Sequence, residues 1–189
     1  MKKNKRNKLF TLLIAASFVG CSDVSDTIKS DDSDENDTIK LKSVATITAN
    51  NNSTVKGTVI FTETDNLVSM TANISGLTPG NHAIHIHAIG DCSAADGSSA
   101  GGHWNPTNVE HGKWNTSSFH TGDIGNIIAD SSGKGTISRV TDLWCLDCDN
   151  EAKNITGKSI IIHEGIDDFT SQPSGAAGAR IGCGEIISN

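Results

Sequence analysis

The chain lacks three things, and each absence closes off a class of protein. It has no apolar run long enough to cross a bilayer. The longest such stretch, residues 9–20, holds twelve residues broken by Thr11 and Ser17, whereas a spanning helix needs about 20. It has no surplus of basic residues. Its formal net charge is −7, and residues 41–189 carry 8 Lys and Arg against 15 Asp and Glu, which argues against a nucleic-acid partner. It also shows no sustained 3.6-residue apolar period, so a helical bundle is not the expected architecture.

The amino terminus reads as a leader. Lys2, Lys3, Lys5, Arg6 and Lys8 precede the short apolar stretch, the layout of an export signal over residues 1–21. Its end, Phe18-Val19-Gly20-Cys21, resembles the bacterial lipoprotein cleavage box, with Phe18 where Leu is usual. The expectation is a lipidated Cys21 holding the protein to a membrane of the cell envelope, periplasmic or at the surface; an ordinary signal cut nearby is the alternative. Residues 22–40 follow with Asp23, Asp26, Asp31, Asp32, Asp34, Glu35 and Asp37 against Lys29 and Lys40. A stretch so acidic and so poor in apolar residues reads as a disordered tether. The remaining 41–189 is long enough for one domain with a sizeable core.

Five cysteines are present. Setting Cys21 aside leaves four, an even number suited to an oxidising compartment. Cys145 and Cys148 form a local C-x-x-C pair, and Cys92 and Cys183 remain. Spacing alone does not settle the pairing. A local structural disulfide, a redox-active pair and a copper-capture site all stay open for Cys145 and Cys148, although Trp144, Asp147 and Asp149 supply no positive charge to activate a thiol.

The domain reads as all-β. Val68, Met70, Ala72 and Ile74 alternate with Ser69, Thr71, Asn73 and Ser75, the period-two mark of a strand with one buried face. Further strands are expected at 41–49, 55–63, 83–89, 123–129, 136–142, 159–164 and 180–187. Turn signals separate them at 64–66, 78–81 and 131–135. Eight short strands suit a sandwich or small barrel. Two long irregular stretches, 90–122 and 165–178, read as functional loops.

Histidine is the most informative residue type. Seven are present, and six fall as His85-Ile86-His87, His103, His111, His120 followed by Asp123, and His163. His85 and His87 leave the same face of a strand, ~7 Å apart, and can close on one ion. Three imidazoles and a carboxylate make a tetrahedral set suited to zinc, whereas nitrogen-only ligation with an open position suits copper. A lone histidine, or His-x-His alone, would be a weak signal; six in this order with a carboxylate are not. His82 has no evident ligand role.

These segments resemble the copper–zinc superoxide dismutases in their bacterial exported form. The resemblance is carried by Ala83-Ile84-His85-Ile86-His87, Gly101-Gly102-His103-Trp104-Asn105-Pro106, His111-Gly112, His120-Thr121-Gly122-Asp123, His163-Glu164-Gly165-Ile166-Asp167-Asp168 and Gly178-Ala179-Arg180-Ile181-Gly182-Cys183, and it covers essentially all of residues 41–189. It implies an eight-stranded Greek-key β-barrel that dismutates superoxide. It also implies copper on His85, His87, His103 and His163, and zinc on His103, His111, His120 and Asp123, with His103 bridging the two. By the same resemblance Asp167 ties His85 to His111, Arg180 attracts the anion, and Cys92 pairs with Cys183. The alternative is a non-catalytic copper- and zinc-binding lipoprotein, a metal store or chaperone-like domain. Monomer and homodimer are both compatible. The family's usual lysines are missing from residues 165–179, so steering of the anion falls to Arg180 and charges elsewhere, with Lys113 and Lys158 as candidates.

Overall fold

The computed structural model describes residues 41–189; the expected signal, the tether and Cys21 lie outside the described residues. Eight strands form: β1 (Leu41–Ala49), β2 (Lys56–Thr64), β3 (Leu67–Ser75), β4 (Gly80–His87), β5 (Gly125–Ala129), β6 (Gly135–Thr141), β7 (Ser159–His163) and β8 (Arg180–Ser188). They close an antiparallel barrel in the order β1-β2-β3-β6-β5-β4-β7-β8. Strand β6 returns beside β3 and β7 beside β4, so the β3–β4 and β6–β7 connections are Greek-key crossovers, while the two long loops join neighbouring strands. Closure removes the exposed edges that an open sheet would present.

Alternation sets the register. Val68, Met70, Ala72 and Ile74 point inward, and Phe61 on β2 pairs with Met70. The main core runs through Ile47, Val59, Phe61, Ile84, Ile86, Ile124, Ile127, Ile160 and Ile162. Trp144 plugs one end: it packs edge-on against Phe61 at 6.2 Å and donates its indole N–H to Thr121 O at 2.9 Å. Strand β7 breaks the alternation, for all five residues are buried. The loop after β4 covers its outer face, where Ala100, Ile161 and Cys183 form a second small core with Cys92 against it.

The expected strand at 83–89 is corrected at both ends. Gly80 and Asn81 carry turn signals, yet they and His82 pair with Ala129, Ile128 and Ile127, so β4 starts three residues early. It stops at His87 because the next amides leave the sheet for the loop, Ala88 N to Gly102 O and Ile89 N to Ala100 O. A short 3-10 turn at Ser98–Ala100 was not anticipated. Two disulfides close: Cys92–Cys183 with Cα atoms 5.7 Å apart, and Cys145–Cys148 at 6.1 Å. A closed disulfide is common to the structural and the redox-active readings of the local pair.

Candidate metal centre

Strands β4 and β7 and the loop over residues 90–122 bring six histidines together on the outer face of the barrel, since His85, His87 and His163 alternate with the core residues Ile84, Ile86 and Ile162. His85 and His87 leave β4 on one face, and Ile84–His87 pair with β7, which ends at His163. His103 follows the loop back and forms an isolated bridge with His87. Ring centroids of His85 and His103 lie 4.0 Å apart, those of His87 and His103 5.0 Å. Two groups result whose ligand atoms lie within 4.8 Å of one another: His85, His87, His103 and His163, and His103, His111, His120 and Asp123. His103 belongs to both.

Hydrogen bonds fix which nitrogen each ring offers. His85 Nε2 donates to Asp167 Oδ2 at 2.8 Å and His87 Nδ1 to Gly101 O at 2.9 Å. His111 Nε2 donates to Asp167 Oδ1 at 2.9 Å, His120 Nε2 to Val109 O at 3.1 Å and His163 Nδ1 to Gly178 O at 3.3 Å. A neutral imidazole that donates through one nitrogen keeps a lone pair on the other. Those other atoms face inward, and His85 Nδ1, His87 Nε2, His103 Nε2, His111 Nδ1 and His163 Nε2 are buried without a hydrogen-bond partner. Buried polar atoms are nearly always satisfied, so a convergent group of orphaned imidazole nitrogens fits a metal ion.

The second cluster has tetrahedral dimensions. Ligand bonds of about 2.0–2.1 Å give tetrahedron edges of about 3.3–3.4 Å. His103 Nδ1 lies 2.8 Å from Asp123 Oδ1, His120 Nδ1 lies 3.3 Å from that oxygen, and the two nitrogens are 3.4 Å apart. His111 Nδ1 approaches Asp123 Oδ2 at 3.0 Å without hydrogen-bond alignment. Asp123 Oδ2 is held by the amides of Gly112 at 3.1 Å and His120 at 2.7 Å.

Burial keeps His87, His103 and His163 neutral. Burial, aided by His103, pushes His87 down to about 2. Burial, aided by His85, pushes His163 down to about 3. Burial also takes His103 to about 4 against the pull of Asp123. Neutral imidazole is the ligating form. His111 goes the other way: burial lowers it, but the carboxylates of Asp123 and Asp167 beside its two nitrogens outweigh burial and raise it to about 9. A metal entering there displaces a proton. Burial alone would raise Asp123 and Asp167 too, yet their histidine partners hold both carboxyls well below the usual range.

Arg180 opens β8 and faces a cleft of about 480 Å³ beside His87, His103, His163 and Glu110. Its Nη1 donates to Gly97 O at 2.7 Å. The expected helpers do not line this cleft: Lys113 lies 5.8 Å over the Phe169 ring and Lys158 4.9 Å over Trp104. Asp167 is fully buried between the two histidines it braces and does not line the opening.

Several contributors carried no sequence signal. The carbonyls of Gly101, Val109 and Gly178 set tautomers, yet any residue supplies a carbonyl. Gln172 pairs with the His111 backbone, accepting its N–H at 2.9 Å and donating to its O at 3.0 Å. Gly175, at φ 66°, leaves room for the brace, since a Cβ there would overlap Asp167 and fall 2.7 Å from His111 Nε2. His82 stands outside both clusters; it is buried and bonds Thr78 O at 2.8 Å and His163 O at 3.0 Å.

An antiparallel Greek-key barrel with two adjoining histidine-rich clusters defines a metalloprotein class. The comparisons narrow it. Residues 55–186 match the family model described as copper/zinc superoxide dismutase. The chain is 38% identical over 137 residues to the extracellular superoxide dismutase [Cu-Zn] of Caenorhabditis elegans, covering 69% of this chain and 60% of that protein. It is 36% identical over 154 residues to superoxide dismutase [Cu-Zn] 2 of Mesembryanthemum crystallinum, covering 77% of this chain and 94% of that protein. The chain belongs to the copper/zinc superoxide dismutase family.

Proposed function

We propose that this protein dismutates superoxide to dioxygen and hydrogen peroxide at a copper site joined to zinc through His103. His85, His87, His103 and His163 would hold copper, and His103, His111, His120 and Asp123 zinc. One observation carries the bridge: of the six rings, His103 alone has neither nitrogen bonded to a backbone carbonyl or to Asp167, and each faces a different cluster. Copper bound there supplies a one-electron acceptor and donor for successive superoxide anions, while zinc is redox-inert.

The chain's own groups do the rest. Arg180 keeps its charge at working pH and draws the small anion into the cleft. Its bond to Gly97 O holds the guanidinium at the wall beside His87 and His163. His103 Nε2, which no group of the protein hydrogen-bonds, would carry one of the two protons that hydrogen peroxide needs whenever that nitrogen is not ligating copper, the second proton coming from water in the cleft. Asp167 holds His85 and His111 by their outer nitrogens and thereby fixes both ligand faces, a bracing that tunes and orders metal ligands generally.

The reading extends to location. Residues 1–21 would direct export, Cys21 would carry the lipid, residues 22–40 would tether the domain to a bacterial envelope membrane, and two disulfides suit an oxidising compartment. Incorporation of labelled palmitate that is lost in Cys21→Ser tests the anchor. The activity is tested by superoxide-consuming rate against metal content. Protein loaded with both metals should consume superoxide at a rate that copper-free protein does not reach; equal rates would leave a metal-binding protein without this activity.

A further inference from the structure

Arg180 has a hidden scaffold in the turn that joins β1 to β2. Asn50 and Asn51 sit where two parts of the site meet: the loop that offers Gly97 O to the guanidinium, and the strand that carries the arginine. Toward the loop, Asn50 Nδ2 donates to Ala94 O at 3.0 Å and Ala95 O at 3.3 Å, and Asn51 N donates to Ala95 O at 2.9 Å. Toward the strand, Asn50 N donates to Ile181 O at 3.0 Å, Ser53 Oγ to the same oxygen at 2.5 Å, and Asn51 Nδ2 to Arg180 O at 3.0 Å. Ala94 O in turn takes the Gly97 amide at 2.8 Å. The circuit from guanidinium to Gly97, to Ala94, to Asn50, to Ile181 and back to Arg180 is closed by hydrogen bonds and one peptide link.

Asn50 is the member that other residues cannot replace. It is 6% exposed, and its Oδ1 is buried with no partner. Turning the amide over would point that oxygen at two carbonyls, so the donor face is locked onto the loop. Each carbonyl keeps one backbone donor, Gly97 N at Ala94 O and Asn51 N at Ala95 O, so losing the Asn50 amide removes the second bond to each and with it the side-chain tie between turn and loop. Asn51 and Asn52 take the left-handed φ of 51° and 57°, which asparagine tolerates better than most residues, and this brings the turn back over the loop.

We propose that Asn50 is a positioning residue for Arg180, holding the Gly97 carbonyl where the guanidinium needs it. This rests on the proposed role of Arg180 as the anion-binding residue beside copper. Asn50→Asp is nearly isosteric but replaces the donor with a carboxylate that repels both carbonyls. Asn50→Ala removes the donor without adding charge and serves should the first variant fail to fold.

The test is the dissociation constant of azide for the copper- and zinc-loaded protein, read from the copper absorption bands in a double-mutant cycle with Arg180→Ala. Both Asn50 variants should weaken azide at least fivefold at unchanged metal content. In the Arg180→Ala background the same change should alter azide binding less than twofold. Amide exchange at Gly97 should speed up in the Asn50 variants. Azide binding within twofold of the parent in the single variants, or an equal loss in both backgrounds, overturns the role of Asn50. Unchanged azide binding in Arg180→Ala alone overturns instead the reading of Arg180 on which it rests.

Discussion

Removing the two disulfides one at a time should separate them by loop length. Cys92–Cys183 joins positions 91 apart, whereas Cys145–Cys148 joins positions three apart. Loop-closure entropy assigns the long link about 4.6 kcal/mol and the short one about 2 kcal/mol at 25 °C, both as upper values. For a domain of this size, each kcal/mol moves the melting temperature by roughly 2–4 °C. Cys92→Ala with Cys183→Ala should thus lower it by roughly 9–18 °C, and Cys145→Ala with Cys148→Ala by roughly 4–8 °C. The assay is thermal unfolding of metal-free protein by circular dichroism, since bound metal adds its own stabilisation. The long link also anchors the loop whose carbonyls, Gly97 O and Gly101 O, hold Arg180 and His87. Copper should dissociate faster from that variant alone. Equal melting shifts, or a larger one for the local pair, would refute the loop-length reasoning.

Three further changes probe the site. Arg180→Ala should slow superoxide consumption at least tenfold and flatten its salt dependence while metal analysis finds both ions; an unchanged rate at low salt removes Arg180 from the mechanism. Asp167→Asn turns an acceptor toward the histidines into an N–H, so zinc affinity should fall about 10–100-fold, measured by chelator competition; unchanged affinity would dismiss Asp167 as a brace. Gly175→Ala puts a Cβ into Asp167 at a φ of 66°. It should lower stability by about 1–3 kcal/mol from backbone strain alone and reduce zinc stoichiometry, read by denaturant unfolding and metal analysis; normal zinc content would show that the brace tolerates the intrusion.

Strands and ligands were legible for the same reason: both are written in side chains at fixed intervals. The alternation from Val68 to Ile74 gave β3 to within a residue of its start. The start of β4 was missed because Gly80 and Asn81 are turn formers, and only their pairing with β5 overrides that preference. The histidines and Asp123 could be grouped from spacing and resemblance. What orients them could not, because Gly101 O, Val109 O and Gly178 O are backbone atoms brought in by loop paths without periodicity. Asn50 is the sharpest case. It reads as an unremarkable turn residue, and only the fold places its amide between the strand of Arg180 and the loop of Gly97.

An acidic domain that receives an anion is a contradiction only if net charge is the relevant quantity. Charges further away than about 8 Å are largely screened at physiological salt, so the cleft wall matters more than the total of −7. Two of the acidic groups, Asp123 and Asp167, are buried and paired with imidazole donors, and they do not face the solvent that the substrate crosses. Asp91, Asp96 and Asp168 are engaged by neighbouring Ser and Thr groups in local turns. Burial lowers the Arg180 guanidinium from its ordinary value, and the charge of Asp96 partly offsets that effect. Glu110 is the acidic side chain at the cleft itself, opposed there by Arg180, since Lys113 and Lys158 turn onto aromatic rings elsewhere. On the role proposed for Arg180, attraction is therefore a short-range affair set by one guanidinium and whatever charge the ligand clusters hold, and the placement of that guanidinium matters more than the number of surface lysines.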